Sequence, residues 1–506
     1  MTTLIEQRAG RKEWLGLAVL MLPVLLVSID NTVLSFALPY IALDLEPSAA
    51  MQLWIIDIYP LVLAGLLVTM GSFGDRIGRR KLLLIGSTGF ALVSVLAAFS
   101  VSAEMLLLSR LLLGVFGAMI MPCTLSLLRG MFHDRAQRRL AIAIWATGFS
   151  AGTAIGPIVG GVLLEHFHWG SVFLIAVPFL LPLLIFAPLL VTESRDPNPG
   201  PIDVPAILLS MAALAPIVFA IKHTATDGLD FISVGALLVG LLSGWLFVRR
   251  LLKQENPILD MRLFAVPAFT GSVLVNLVSV VALVGLLFFL SQHLQLILGL
   301  TPLQAGLMLL PGTVMMIVAG LLIVRVVRHV KVHIAMAFGL GLAFLAYLSL
   351  AITGGSAPLW MLVAAFTLLA AGIAIAETLS NDVIIASVPP AKAGAASAVS
   401  ETAYEVGAVL GTSVLGGVLT ASYRSGMVVP EGATAEQAHA ARETLAGAVN
   451  VSNELEAGGM TAQAQTLLDS AFHAFDAGST VTSAVGAVLM VGAIFLALRM
   501  VGKASA

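Results

Sequence analysis

The chain has 506 residues, of which 59% are hydrophobic and 11% charged, with a formal net charge of −2 and a mean hydropathy of +1.02. Such a composition lies far outside the range of soluble domains and assigns a polytopic membrane protein. The near-neutral charge argues against nucleic acid as a partner, and a single cysteine, Cys123, excludes a disulfide framework or a thiolate metal cluster.

At the N-terminus, Arg8, Arg11 and Lys12 precede an apolar stretch that is too long for a signal peptide and has no small-residue cleavage site, so it reads as an uncleaved first span. A bilayer core asks for roughly 20 apolar residues per helix. Cutting at charged or Gly/Pro-rich breaks predicts fourteen spans: 14–38, 52–73, 81–100, 104–128, 139–163, 170–191, 204–221, 231–251, 268–291, 302–325, 333–352, 358–386, 396–421 and 478–500. With both termini in the cytoplasm, only Lys222, Arg424 and Arg442 of the 26 Lys and Arg fall outside and Arg110 falls within a span. That asymmetry supports the even count and the orientation.

Asp30 lies deep in span 1, where a carboxylate costs roughly 2.5–3.5 kcal/mol on insertion scales and is a functional candidate by default. Spans 1 and 2 run antiparallel, and Asp57 lies at a similar depth, roughly 8–12 Å below the outer surface at 1.5 Å per residue. The two acids are therefore expected to face one cavity, with Tyr40, Trp54 and Tyr59 offering aromatic faces to a cation; a solvated, interfacial Asp57 is the alternative. Asp75, Arg76, Arg79 and Arg80 follow span 2, as a latch at the inner mouth or as simple topology determinants. Arg110 sits inside span 4 and is expected to bond carbonyls or an acid of the same half. In span 5, Gly148, Gly152, Gly156 and Gly160 recur every four residues and form a stripe for close backbone approach, with Pro157 bending the helix. This stripe reads either as ordinary packing or as a seam that opens when two halves rock.

Span 10 carries no acid but has Met315 and Met316, whose soft side chains suit adaptable apolar contact. Glu377 stands in span 12. Glu401 and Glu405 share one face of span 13, with Tyr404 between them. The stretch 422–477 carries seven acids against two arginines and reads as two Ala-rich helices, near 433–449 and 460–476, broken at Gly458-Gly459. Leu467, Leu468, Phe472 and Phe475 share a face there, so the loop is expected to pack, as a solubilising appendage or as a lid over the exit.

A faint internal repeat links Gly71–Lys81 after span 2 with Gly320–His329 after span 10, matching Gly and two Arg positions in register. Two six-helix halves with a substrate site at the midplane are a common transporter plan, which leaves spans 7 and 8 as an inserted pair. Gly71–Lys81 also resembles the major facilitator signature between spans 2 and 3. Asp30–Pro39 is similar to the first-span signature of its fourteen-span drug/proton antiporter branch, although Ser35 stands where that pattern usually has Asn. Arg110, Gly114 and Gly117 match the fourth-span pattern, Gly152, Gly156-Pro157 and Gly160-Gly161 the fifth-span antiporter motif, and Trp54–Tyr59 resembles the branch's multidrug exporters.

The resemblance implies an all-α major facilitator fold of fourteen transmembrane helices in a 6+2+6 plan. It divides into a bundle over 1–191, a linker with two extra helices over 192–262, and a second bundle over 263–506 that includes the external loop 422–477. It further implies a monomeric inner-membrane exporter that exchanges protons for lipophilic, mainly monovalent cations such as ethidium-like dyes and quaternary ammonium compounds, with fluoroquinolones among the drugs. It points to Glu401 and Glu405 as substrate or proton carboxylates, with Glu401 at the inner entrance as the alternative, and to coupling by Arg110, with a purely structural partner as the alternative; Asp30, Asp57 and Glu377 join them from their apolar settings. No cofactor is expected. A nutrient uniporter or symporter on the same fold is the runner-up. A membrane enzyme is disfavoured because no catalytic constellation is visible beyond Glu165, His166 and His168, and no phosphate-binding Gly-rich loop is present.

Overall fold

A computed structural model describes residues 9–132, 134–195, 203–254, 261–354, 357–388, 393–430 and 433–502. The first six membrane crossings are α1 (Arg11–Leu45), α2 (Ala49–Ile77), α3 (Arg79–Ala98), α4 (Ala103–Met131), α5 (Arg135–His166) and the short α6 (Ser171–Leu174) with α7 (Ala176–Leu190). The inserted pair is α8 (Val204–Asp227) and α9 (Phe231–Lys253). The second set runs through α10 (Pro267–Gln292), α11 (Pro302–Val326), α12 (Val332–Thr353), α13 (Leu359–Ala386), then α14 (Ala393–Leu410) continued by a π turn (Gly411–Gly416) into α15 (Gly417–Gly426). Two loop helices, α16 (Ala435–Glu443) and α17 (Leu445–Ala457), precede the last helix, α18 (Thr461–Leu496). Among the described residues thirteen stretches are long and apolar enough to cross a bilayer, while α5 contributes the shorter apolar stretch Ile155–His166 within a helix of 32 residues.

Helix starts follow local capping chemistry. Ser48, Ser102, Asp203, Asp230 and Thr301 each accept an N–H from the third residue beyond, which satisfies a donor the first turn leaves open. Prolines inside α1, α2, α4, α5, α7 and α11 are accommodated, because in a bundle neighbouring helices and side chains take over the backbone groups they free.

The glycine stripe of α5 packs on α1. A Cβ at Gly152 would lie 2.5 Å from Ser28 Cβ and 2.9 Å from the Leu25 carbonyl, and one at Gly156 would strike Thr32. The second half repeats this contact: Gly407 and Gly411 of α14 and the π turn lie against the Leu277 and Val281 carbonyls of α10 at 2.7 and 2.8 Å from a built Cβ. The repeat is thus clearer in backbone packing than in residue identity. The expectation that the α5 stripe is itself the seam between halves is corrected, because Gly148, Gly152, Gly156 and Gly160 all face α1 within their own half. The seam lies one step round the helix. A Cβ at Gly161 would lie 2.6 Å from Leu303 Cα, and one at Gly306 of α11 would lie 2.5 Å from the Pro157 carbonyl.

The long loop also differs from expectation. Its first helix is split at Thr444, which caps α17 by accepting from Gly447 N–H. Its second is not separate, since α18 runs unbroken for 36 residues from the loop into the final span. Leu467 and Phe475 are buried on the expected face, while Leu468 and Phe472 are partly exposed. Tyr423 donates to the Ala441 carbonyl at 2.8 Å, and Arg424 pairs with Glu443 at 3.0 Å, which anchors α16 to α15. From there the loop reaches across to the first half. Asn450 donates to the Leu43 carbonyl at 3.0 Å and to Glu46 at 3.1 Å, and Glu443 accepts from Ala49 N–H at 3.1 Å.

Candidate functional site

Arg110 is at the centre of the buried polar groups. It is fully enclosed, donates from Nη1 to Asp30 Oδ2 at 2.8 Å and from Nε to the Ile55 carbonyl at 3.2 Å, and lies over the Tyr59 ring at 4.5 Å from its centroid. The local sequence explains this. Gly114 and Gly117 follow Arg110 on one face of α4, where a Cβ would meet the Tyr59 carbonyl at 2.8 Å and the Tyr59 hydroxyl at 3.3 Å. The two glycines make the recess that holds Tyr59 beneath the guanidinium. Both kinds of partner expected for Arg110, an acid and a carbonyl, are therefore present in one half.

The second half contributes Glu405, which is buried, lies within electrostatic reach of Asp30 and Glu401, and has an Oε2 without a hydrogen-bond partner among the described residues. Tyr404 lies within the same reach of Glu405 and Glu377, and Glu377 Oε1 is likewise without a partner there. Asp30, Arg110 and Tyr59 of the first half thus lie within electrostatic reach of Glu405 of the second, which also carries Glu377, Glu401 and Tyr404. Unpaired oxygens in an apolar setting are costly, which makes Glu405 and Glu377 candidates for a role beyond packing.

Asp57 does not join them. It is completely buried on another face of α2, where Lys222 of α8 pairs with its Oδ2 at 3.0 Å and Ser413 of the π turn donates to the same oxygen at 2.7 Å. Asp57 and Tyr59 are two residues apart on a helix, so they point to different sides. The expectation of one cavity for Asp30 and Asp57 is corrected on that ground. Trp54 and Tyr59 are likewise not open aromatic faces: Lys222 lies 4.0 Å from the Trp54 ring centroid, and Arg110 covers Tyr59. The span boundaries place Lys222 in an outer loop. It is 1% exposed, because α8 continues to Asp227 rather than ending at 221. Met315 is exposed along with Val314, Val318 and Leu322 of α11.

At the basic face the cluster closes on its own half. Arg79 pairs with Asp75 at 2.7 Å and donates to Ser194 Oγ at 3.2 Å. Arg80 donates to the Pro188 and Val191 carbonyls at 3.1 and 2.9 Å, and Glu193 accepts from the Arg80 and Lys81 N–H groups at 2.9 and 3.2 Å. Gly78 has φ 109°, and a Cβ there would sit 2.7 Å from the Glu193 carboxylate, so the signature glycine makes room for this acid. Arg76 is exposed. Through Asp75, Arg79, Arg80 and Lys81 the cluster ties α2 and α3 to the end of α7.

Residues 20–412 match the Major Facilitator Superfamily. The chain belongs to that superfamily. Its members similar to this chain include the multidrug efflux pump LfrA of Mycolicibacterium smegmatis, 55% identical over 97% of this chain and 98% of that protein. The methyl viologen resistance protein SmvA of Salmonella typhimurium is 35% identical over 96% and 97% of the two chains. Among solved structures, a bacterial homologue of the human lysosomal transporter Spinster, inward-facing and unoccupied, shares the major facilitator fold with a TM-score of 0.67 over 97% of this chain and 98% of that one, at 18% identity.

Proposed function

We propose that this chain is a multidrug exporter of the cytoplasmic membrane that exchanges protons for lipophilic, mainly monovalent cations. The observation that carries this reading is the buried group of Asp30, Arg110, Tyr59 and Glu405, drawn from both halves and rich in carboxylates but poor in the hydrogen-bonding side chains a sugar would need. The 55% identity to a protein named as a multidrug efflux pump supports the drug-export part.

The exchange follows from charge balance in a site of low dielectric. A cation that enters beside Glu405 favours the ionised acid and expels its proton, and the reverse step releases the drug. Protonating Asp30 removes the counter-charge of Arg110, which keeps the Ile55 carbonyl and the Tyr59 ring as partners. Proton uptake is thereby linked to a change in how α1 and α4 hold each other. In the orientation with both termini in the cytoplasm, the lid helices α16 and α17 lie outside and the form described here is closed on that side. The absence of an acid in α11 near Pro311 favours monovalent over bis-cationic substrates.

Inverted vesicles with an acid interior test this. Ethidium should trigger proton release from vesicles containing the unmodified chain and not from those containing Asp30→Asn. Intact release and dye accumulation in that variant would remove Asp30 from the coupling mechanism, and a requirement for ATP would overturn secondary transport altogether.

A further inference from the structure

Around Lys222 lies a second polar cage that the exchange scheme leaves unused. The ammonium is 3.0 Å from Asp57 Oδ2 and 2.9 Å from the Leu53 carbonyl oxygen, and it faces the Trp54 ring at 4.0 Å. Ser413 donates to the same carboxylate oxygen at 2.7 Å, while Oδ1 has no hydrogen-bond partner among the described residues. An apolar cluster of Leu61, Val218 and Val409, with Trp54 and Ile58 packed against it, joins the same three elements beside the cage.

A carboxylate, a carbonyl oxygen and an indole face are together the chemistry that receives an alkylammonium ion. The acid and the indole come from α2, the hydroxyl from the π turn after α14, and the cation from the inserted helix α8. Docking alone does not call for this arrangement, because apolar side chains of similar volume hold buried helices as well as an ion pair does.

We propose that Lys222 is a resident, tethered cation that fills this cage, keeps cationic substrates off Asp57 and so confines their selection to the Asp30–Glu405 chamber. The proposal rests on the cationic-export reading above. Lys222 acts as a specificity-determining residue through Asp57.

The test uses two probes on the purified full-length chain in lipid nanodiscs: tetraphenylphosphonium, which is too large for the enclosed cage, and methylammonium, which matches the lost ammonium. The unmodified chain, Lys222→Arg and Lys222→Ala should each bind one equivalent of tetraphenylphosphonium. Methylammonium should raise the Tm of Lys222→Ala and leave unchanged that of the unmodified chain and of Lys222→Ala combined with Asp57→Asn. A folded Lys222→Ala whose Tm does not respond to methylammonium overturns the proposal, as does an equal response in the double variant. If the unmodified chain binds no tetraphenylphosphonium, the cationic-export reading falls, while the methylammonium comparison still reports on the cage.

Discussion

Removing Arg110 would leave Asp30 as a buried carboxylate without its counter-ion. Breaking such a pair from one side costs about 3–5 kcal/mol, so Arg110→Ala should lower the thermal midpoint of the purified protein sharply. Arg110→Lys should recover part of that loss, because an ammonium keeps the charge but cannot reach Asp30 and the Ile55 carbonyl together in a planar fork. Tyr59→Phe should change the midpoint little, since the Tyr59 hydroxyl has no hydrogen-bond partner among the described residues; a large drop would show that the hydroxyl is tied after all. At this scale Arg110 was legible in the sequence, since a guanidinium inside an apolar span must find an acid or carbonyls. Lys222 was not, because it falls just past an apolar run and there looks like any loop lysine; only the length of α8 reveals it. The orientation of Asp57 was hidden for a related reason: depth can be counted along a sequence, whereas the face of a helix turned to a given neighbour depends on how the bundle packs.

At the scale of elements, the contact between α5 and α11 joins the two halves, and the exchange proposed above requires it to loosen when the halves rock. Gly306→Ala would press a methyl group against the Pro157 carbonyl, and overpacking of this kind costs about 1–3 kcal/mol. That penalty should raise the share of the form open on the lid side by roughly 5- to 150-fold. Labelling of single cysteines placed beneath the lid, in a Cys123→Ser background, measures it; Gly341→Ala, where nothing lies within 4 Å of a built Cβ, should leave labelling unchanged. The inserted pair gives an acid-dependent prediction. Burial works against ionised Asp203, yet hydrogen bonds from Arg250, Gln254 and Ala206 N–H outweigh it and hold the carboxyl below its ordinary value. Its stabilisation is therefore complete above about pH 4, the unfolded value, and is lost as pH falls through the lower folded value. Hydrogen exchange in α8 and α9, corrected for intrinsic rates, should show protection falling on acidification below that point, with the step missing in Asp203→Asn. The regular spacing of glycines made the α5 stripe visible from sequence, but not which neighbour it would meet, since two adjacent faces of that helix both carry glycine.

Across the whole molecule, the loop helices α16 and α17, proposed above as a lid, are built on the second half and bonded to the first. Asn450→Ala removes its hydrogen bonds to Leu43 and Glu46, each worth about 1 kcal/mol, and together with Glu443→Ala should increase labelling beneath the lid in the same assay. Unchanged labelling would mean that the lid rides on the mouth without restraining it. The span count and the two-half plan could be read from hydropathy, basic loops and a faint repeat. The form of the external loop could not, because nothing between 476 and 478 signals that one helix simply continues. That continuity has a consequence outside the membrane. With 36 residues, α18 measures about 54 Å at 1.5 Å per residue, longer than a bilayer is thick, so it stands proud of the surface like a tiller fixed to one half of the machine. A large binding protein that grips this spar would need neither to enter the chamber nor to resemble a drug; by holding the tiller it would stall the stroke.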